Sequence, residues 1–150
     1  MKIAILGGTG KEGMGIGFRW AKAGHEIIIG SRQEAKAVDA AQKLQEMLKD
    51  EFEILGKENL EAANAAELIV LTVPYGAHQA MCEYIKDAVN GKIVIDVTVP
   101  LVPPKVTKVQ MPPAGSATME AKQVFEPSPL LGLVILSAPL LGLVILSALP

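Results

Sequence analysis

A single cysteine in 150 residues, Cys82, excludes a disulfide within the chain and a thiolate metal cluster. That count suits a reducing cytoplasm, and the strand-like start at Lys2, with no charged leader and no removable apolar core, predicts no signal peptide. Aromatic residues make up only 4%, too few for a platform on which bases stack. A basic face is also missing: 14 Lys and Arg stand against 16 Asp and Glu, for a formal net charge of -2 and a pI near 5.7. This balance argues against nucleic acid as the main partner. No paired histidines stand at metal-ligand spacing, and no Ser/His/Asp set or carboxylate pair can be assembled. An enzyme built on this chain needs a reaction that depends more on positioning than on proton transfer.

Apolar residues and an alternating pattern are what the chain has. Half the residues are hydrophobic and 20% are charged, which at this length predicts one domain around a single packed core. Residues 2–6 (KIAIL) read as a strand, residues 10–23 as a helix closed by Gly24, and residues 26–29 as a second strand. Residues 33–49 predict an amphipathic helix whose broad face carries Val38, Ala41, Leu44, Met47 and Leu48. A short strand at 52–55 and a short helix at 60–66 follow. Residues 68–73 (LIVLTV) form a continuous apolar run, as in a strand buried on both faces of a parallel sheet. A helix over 77–89, stopped by Asn90 and Gly91, then leads to a fifth strand at 92–97 (KIVIDV). Strands alternating with helices predict an α/β fold with a doubly wound parallel sheet.

Residues 5–15, ILGGTGKEGMG, hold five glycines directly after the first strand. Glycine inside a regular element costs about 0.5–1 kcal/mol relative to alanine, so these need a local reason. Gly8, Gly10 and Gly13 form G-x-G-x-x-G between a strand and a helix, the context that the dinucleotide fingerprint requires. Gly8 then permits the tight turn, Gly10 the approach of the backbone to a pyrophosphate, and Gly13 the close packing of helix on strand. Unpaired N–H groups at the helix start, with the positive end of its dipole, hold the phosphates. A purely structural glycine turn is the competing reading.

The end of the second strand bears on which dinucleotide is meant. A carboxylate for the ribose 2'-hydroxyl usually stands there, about 20 residues past the glycines. This chain has Gly30, Ser31 and Arg32 instead. Arg32 offers a planar donor fork and Ser31 a hydroxyl, Lys36 lies one helical turn further, and Thr9 adds a hydroxyl from the glycine loop. All suit a 2'-phosphate, so NADP is expected rather than NAD. Arg32 and Lys36 could instead mark a solvated helix start, but cations there oppose the dipole, and a bound anion explains them better.

Other candidates are weaker. His25 reads as a surface or turn residue. His78, in VPYGAH at the carboxyl edge of the fourth strand, fits a ligand-binding role and a helix-start structural role equally well. Cys82 reads as a small buried helix residue. Asp96 ends the fifth strand, as a ligand contact or a turn cap. Hydride transfer between two bound cofactors suits this inventory, because the cofactors carry the reactive atoms.

MKIAILGGTGKEGMGIGFRWAKAGHEIIIGSR with Lys36, then LIVLTVPYGAH and KIVIDVTVPLVP, resembles the NADPH-dependent reductases of the deazaflavin coenzyme F420, the F420H2:NADP oxidoreductases, over about residues 1–125. The resemblance implies a Rossmann domain in which Thr9, Gly10, Lys11 and Glu12 bind the pyrophosphate region of NADP(H). It also implies that Ser31, Arg32 and Lys36 surround the 2'-phosphate, and that Thr72, Val73, Pro74, Thr98 and Val99 border the nicotinamide. In that family the deazaflavin co-substrate lies against the nicotinamide and hydride passes directly between the rings. Homo-oligomers are common in it.

The departure from the family pattern begins after Phe125, so residues 1–125 form the expected NADP-binding domain and 126–150 an atypical tail. Residues 129–138 and 139–148 are identical, PLLGLVILSA twice, which leaves duplication, engineering and sequence artefact as sources. Residues 130–149 carry no charge and are long enough to span a bilayer. Pro139 at the centre, the interrupting glycines and the missing flanking anchors count against that. The preferred reading makes residues 133–137 a sixth strand and the second copy surplus apolar surface that favours self-association. Residues 100–129 are proline-rich and predict a loop, with a short helix over 116–124 for which Ser116 and Thr118 are cap candidates. Two functions of different class remain open. One is an oxidoreductase moving hydride between NADP(H) and F420, with a reductase of another small substrate as its variant. The other is an NADP-binding module without turnover.

Overall fold

The computed structural model describes residues 1–101, 109–126, 132–135 and 144–146. The chain divides into two units, Met1–Thr72 and Val73–Pro150.

The first unit runs β1 (Lys2–Leu6), α1 (Lys11–Lys22), β2 (Glu26–Ser31), α2 (Glu34–Met47), β3 (Ile54–Glu58), α3 (Asn59–Ala65), β4 (Leu68–Leu71). Its strands lie in the order β3-β2-β1-β4, all parallel, with Ile5 opposite Ile29 and Val70. Successive strand residues face opposite sides, so each strand needs apolar cover twice. Ile5 and Ile29 reach toward α1 and α2, where they sit around Gly17 together with Leu44. Leu6 and Gly30 face the other way, toward Asn59 at the start of α3. Helices therefore cover both faces, and Ile3, Ala4, Ile5, Leu6, Ile27, Ile28, Ile29, Ile69, Val70 and Leu71 are all buried. This is the doubly wound parallel architecture that the alternating pattern predicts.

Two expectations shift. The β3 strand lies at Ile54–Glu58 instead of 52–55, because Gly56, Lys57 and Glu58 pair with Ile29, Gly30 and Ser31 despite their polar character. Val38 (47% exposed) and Met47 (61%) do not join the buried face of α2, which consists of Ala37, Ala40, Ala41 and Leu44, with Leu48 just beyond. The cause is proximity: a Cβ on Gly56 would lie 2.4 Å from backbone atoms of Ala37 and Val38, so α2 lies on β3 at a distance that only small residues allow. Gly24 closes α1 as expected, at φ +88.

The second unit contains α4 (Tyr75–Ile85), β5 (Ile93–Asp96), α5 (Ala117–Phe125), β6 (Gly132–Ile135) and β7 (Val144–Leu146). Met81, Cys82 and Ile85 of α4 are buried, and Phe125 of α5 is fully so. The Ser116 hydroxyl caps α5 by accepting from the Met119 N–H (3.1 Å), while Thr118 is buried within the helix. The β6 strand begins one residue before the expected 133 and pairs in parallel with β5, Ile93 opposite Gly132. Val144–Leu146, expected as surplus surface, pairs antiparallel with β6. The rest of the repeat falls outside the described residues. Among the described residues no helix is long and apolar enough to cross a membrane.

Candidate functional site

Two glycines of the fingerprint are required by packing and one is not. A Cβ on Gly8 would lie 2.5 Å from the Ile5 carbonyl oxygen, and one on Gly13 would lie 2.5 Å from Gly8 Cα. The turn itself belongs to Gly7, whose φ of +71 is the left-handed value, so the turn role expected of Gly8 moves one residue earlier. Gly10 is different. It is exposed, its φ is -81, and a Cβ there would meet nothing within 4 Å. Neither fold nor backbone conformation demands glycine at this point, and the open space over its backbone fits the close approach of a pyrophosphate.

Next to that space, α1 begins without a side-chain cap, and the helical ladder starts where the Met14 N–H donates to the Gly10 carbonyl (2.9 Å). The N–H groups of Lys11, Glu12 and Gly13 precede that bond and have no intrahelical acceptor. Thr9, Lys11 and Glu12 are exposed around them. The loop is held from behind. Gly8 N–H donates to the Gly30 carbonyl (3.0 Å) and Gly7 N–H to Asn59 Oδ1 (3.2 Å). Thr72 donates twice to the Leu6 carbonyl, from its N–H (3.0 Å) and its hydroxyl (2.8 Å), which fastens the end of β4 to the end of β1.

At the end of β2, Ser31 is buried and its Oγ accepts from the Gln33 N–H (3.3 Å), which shapes the turn into α2. Arg32 and Lys36 are exposed, and among the described residues neither has an ion-pair partner. Lys36 and Thr9 share the wall of an open cleft of about 220 Å³ with Met14, Asp39, Ala40 and Lys43. Two of the four expected phosphate-binding side chains therefore meet in one cleft, whose lining does not include Ser31 or Arg32. The cleft itself offers a hydroxyl and the ammonium groups of Lys36 and Lys43 beside the Asp39 carboxylate, while the Arg32 guanidinium stands outside its lining.

The remaining expected residues lie in the second unit, apart from Thr72. Pro74 is exposed, Val99 half-buried, and Val73 and Thr98 buried at the start of α4 and after β5. His78, expected to touch a cofactor as readily as to support a helix, is 1% exposed and does not present an open face in this structure. Its Nε2 lies 2.8 Å from Asp96 Oδ2, and Asp96 Oδ1 accepts from the Thr98 N–H (3.0 Å). The Thr98 hydroxyl in turn donates to the Val73 carbonyl (3.4 Å). Thus Asp96 joins α4 to the turn after β5, and His78 Nδ1 is buried with no hydrogen-bond partner among the described residues. Burial first, then the Asp96 charge, pushes the Cys82 thiol far up, which leaves it an inert packing residue 3.8 Å from His78. Burial and the Glu120 carboxylate, which accepts from the Tyr75 hydroxyl (3.0 Å), raise the Tyr75 phenol as well.

Sequence reasoning missed Asn59 and the Asp96 link. Asn59 stands at a helix start after a polar stretch, where asparagine has an ordinary local use as a cap. Only the fold shows it reaching 52 positions back along the chain. Among the described residues no cluster of metal-ligating side chains occurs.

The family model described as NADP oxidoreductase coenzyme F420-dependent matches residues 2–100. An F420-dependent NADP reductase of Methanothermobacter marburgensis is 51% identical over 102 residues, covering 67% of this chain and 46% of the relative. One of Methanocaldococcus jannaschii is 41% identical over 134 residues, covering 85% and 60%. The chain thus spans about half the length of the curated relatives it matches. Among solved structures, an f420 dependent nadp-reductase assignment from Arthrobacter sp. FB24 superposes with a TM-score of 0.72 at 26% identity, over 90% of this chain and 61% of that one. Malate dehydrogenase of Plasmodium falciparum, at 17% identity and a TM-score of 0.67 over 91% and 44%, shares the fold.

Proposed function

Because the chain belongs to the family of coenzyme F420-dependent NADP oxidoreductases, we propose that it binds NADP(H) and takes part in hydride exchange with the deazaflavin F420. Gly10 carries this reading: it is a glycine that the fold does not need, lying beside three helix-start N–H groups that lack intrahelical acceptors. When bound, the two cofactors supply the carbon that gives up hydride and the carbon that takes it.

The protein's share is binding and orientation. The N–H groups from Lys11 to Gly13 hold the pyrophosphate, with the dipole of α1 behind them and Thr9, Lys11 and Glu12 at the rim. Arg32, Lys36, Ser31 and Thr9 hold the 2'-phosphate, which selects NADP over NAD. Thr72, Val73, Pro74, Thr98 and Val99 take the nicotinamide end, as the family resemblance implies. His78 supports that end through Asp96 and does not touch the ring. Residues 1–125 form the nucleotide-binding part, the protein works in the cytoplasm, and it self-associates.

Mixing the protein with NADPH and oxidised F420 tests the proposal. Loss of the deazaflavin absorbance band at a rate proportional to protein concentration is expected. Binding of NADP(H) with no bleaching would leave the second reading, a nucleotide-binding module without turnover. Failure to bind NADP(H) would overturn both.

A further inference from the structure

We infer that Asn59 is a positioning residue for the pyrophosphate loop, fixing the direction in which the glycine turn presents its N–H groups. This rests on the proposed reading of that loop as a phosphate cradle.

Asn59 is 1% exposed although it carries a full amide, and it is the first residue of α3. Its placement is over-determined. Glu58 ends β3 in register with Ser31, and the Glu58 carboxylate caps α3 by accepting from the Leu60 N–H (2.8 Å). The Asn59 side chain is thereby aimed under the β1–α1 turn, where Oδ1 accepts from the Gly7 N–H (3.2 Å). Gly7 is the one residue of the turn at positive φ, and its peptide would otherwise be free to rotate. The adjacent Gly8 N–H is held by the Gly30 carbonyl (3.0 Å). Two successive donors are thus engaged within the fold, and the N–H groups of Lys11, Glu12 and Gly13 that follow have no intrahelical acceptor.

Gly30 is part of the same device. A Cβ there would lie 2.8 Å from Asn59 Oδ1 and 2.9 Å from Leu6 Cδ2, so only glycine lets the amide pass beneath β2 to reach Gly7. Gly30 immediately precedes Ser31 and Arg32, so one backbone segment both leads to the proposed 2'-phosphate site and anchors the phosphate loop. An acceptor placed against the turn by a separate helix aligns the donors before ligand arrives, and the loop then loses less freedom on binding.

The test compares two ligands: NADP+, which carries the pyrophosphate, and adenosine 2'-monophosphate, which carries only the 2'-phosphate end. Asn59→Ala is expected to weaken NADP+ about tenfold, the order of effect of one lost buried hydrogen bond, while adenosine 2'-monophosphate binding stays within about twofold of the unaltered protein. Equal loss for both ligands, or no loss for either, would overturn the inference. A merely structural role lowers the melting temperature without separating the two affinities. A measurement on the unaltered protein covers the case of a variant that does not fold. Without ligand, the Gly7 amide should be protected from hydrogen exchange as well as the Gly8 amide, and exchange at the rate of an open loop would refute the Asn59 bond. Should the unaltered protein bind neither ligand, the nucleotide reading fails, and Gly7 protection still decides whether Asn59 holds the turn.

Discussion

Alanine placed separately at Gly10 and at Gly13 distinguishes what the ligand demands from what the fold demands. At Gly13 the new methyl group would lie 2.5 Å from Gly8 Cα and 2.8 Å from the Gly8 carbonyl oxygen, both backbone atoms, so the start of α1 must move away from the glycine turn. Overpacking of that kind costs about 3 kcal/mol, which in a domain of this size lowers the melting temperature by about 6–12 °C. At Gly10 the methyl group would meet nothing within 4 Å, and a φ of -81 suits any residue. The only cost is a poorer N-cap, within about 1 kcal/mol, or about 2–4 °C. Nucleotide affinity should show the reverse order of sensitivity. Gly10→Ala fills the space through which a pyrophosphate approaches, and NADP+ binding should weaken by about tenfold or more, equivalent to about 1.4 kcal/mol. Thermal unfolding and calorimetric titration of both variants are sufficient. If Gly10→Ala melts as early as Gly13→Ala, the fold needs that glycine after all. If it melts normally and binds NADP+ as tightly as the unaltered protein, the open space is not a phosphate site and the main support for the proposed function is gone.

Further expectations concern charge, burial and reactivity. Arg32→Asp should reverse the preference between NADP+ and NAD+, with the NADP+ arm falling about 10- to 100-fold, as for loss of a charge-assisted hydrogen bond; an unchanged ratio in competition titrations would remove the case for a 2'-phosphate site. Asp96→Ala strands the Nε2 of His78 and the Thr98 N–H together, and should cost about 2–5 kcal/mol in a denaturant melt. Asp96→Asn, which keeps the Thr98 acceptor, should cost less, and equal costs would show that the His78 contact and the Thr98 contact do not add. Cys82 should resist a thiol reagent in the native protein and react fully in denaturant, since burial disfavours the thiolate. Because the folded state holds that proton above the ordinary thiol value of 9.0, the unfolded chain releases it first. Stability should therefore fall as pH rises past 9.0, and a melting temperature that rises there would contradict the burial.

The order of strands and helices, the fingerprint between β1 and α1, and the missing carboxylate at the end of β2 were all readable from residue type and spacing. These are local properties: apolar runs of strand length, helix-length amphipathic stretches, glycines at fixed intervals, a cation where an acid is usual. The tertiary structure decided matters that depend on the distance between segments far apart in sequence. It showed that α2 lies close on β3 and that Ala37, Ala40, Ala41 and Leu44, and not Val38 or Met47, form its buried face. It assigned the left-handed turn to Gly7, buried His78 against Asp96, and brought Asn59 beneath a loop 52 positions earlier. Spacing along a chain reports periodicity and local backbone preference, whereas a hydrogen bond between remote residues exists only once parallel strands have set their register. For that reason the letters suffice to nominate a site, while the groups that hold its loop in shape are set only by the fold.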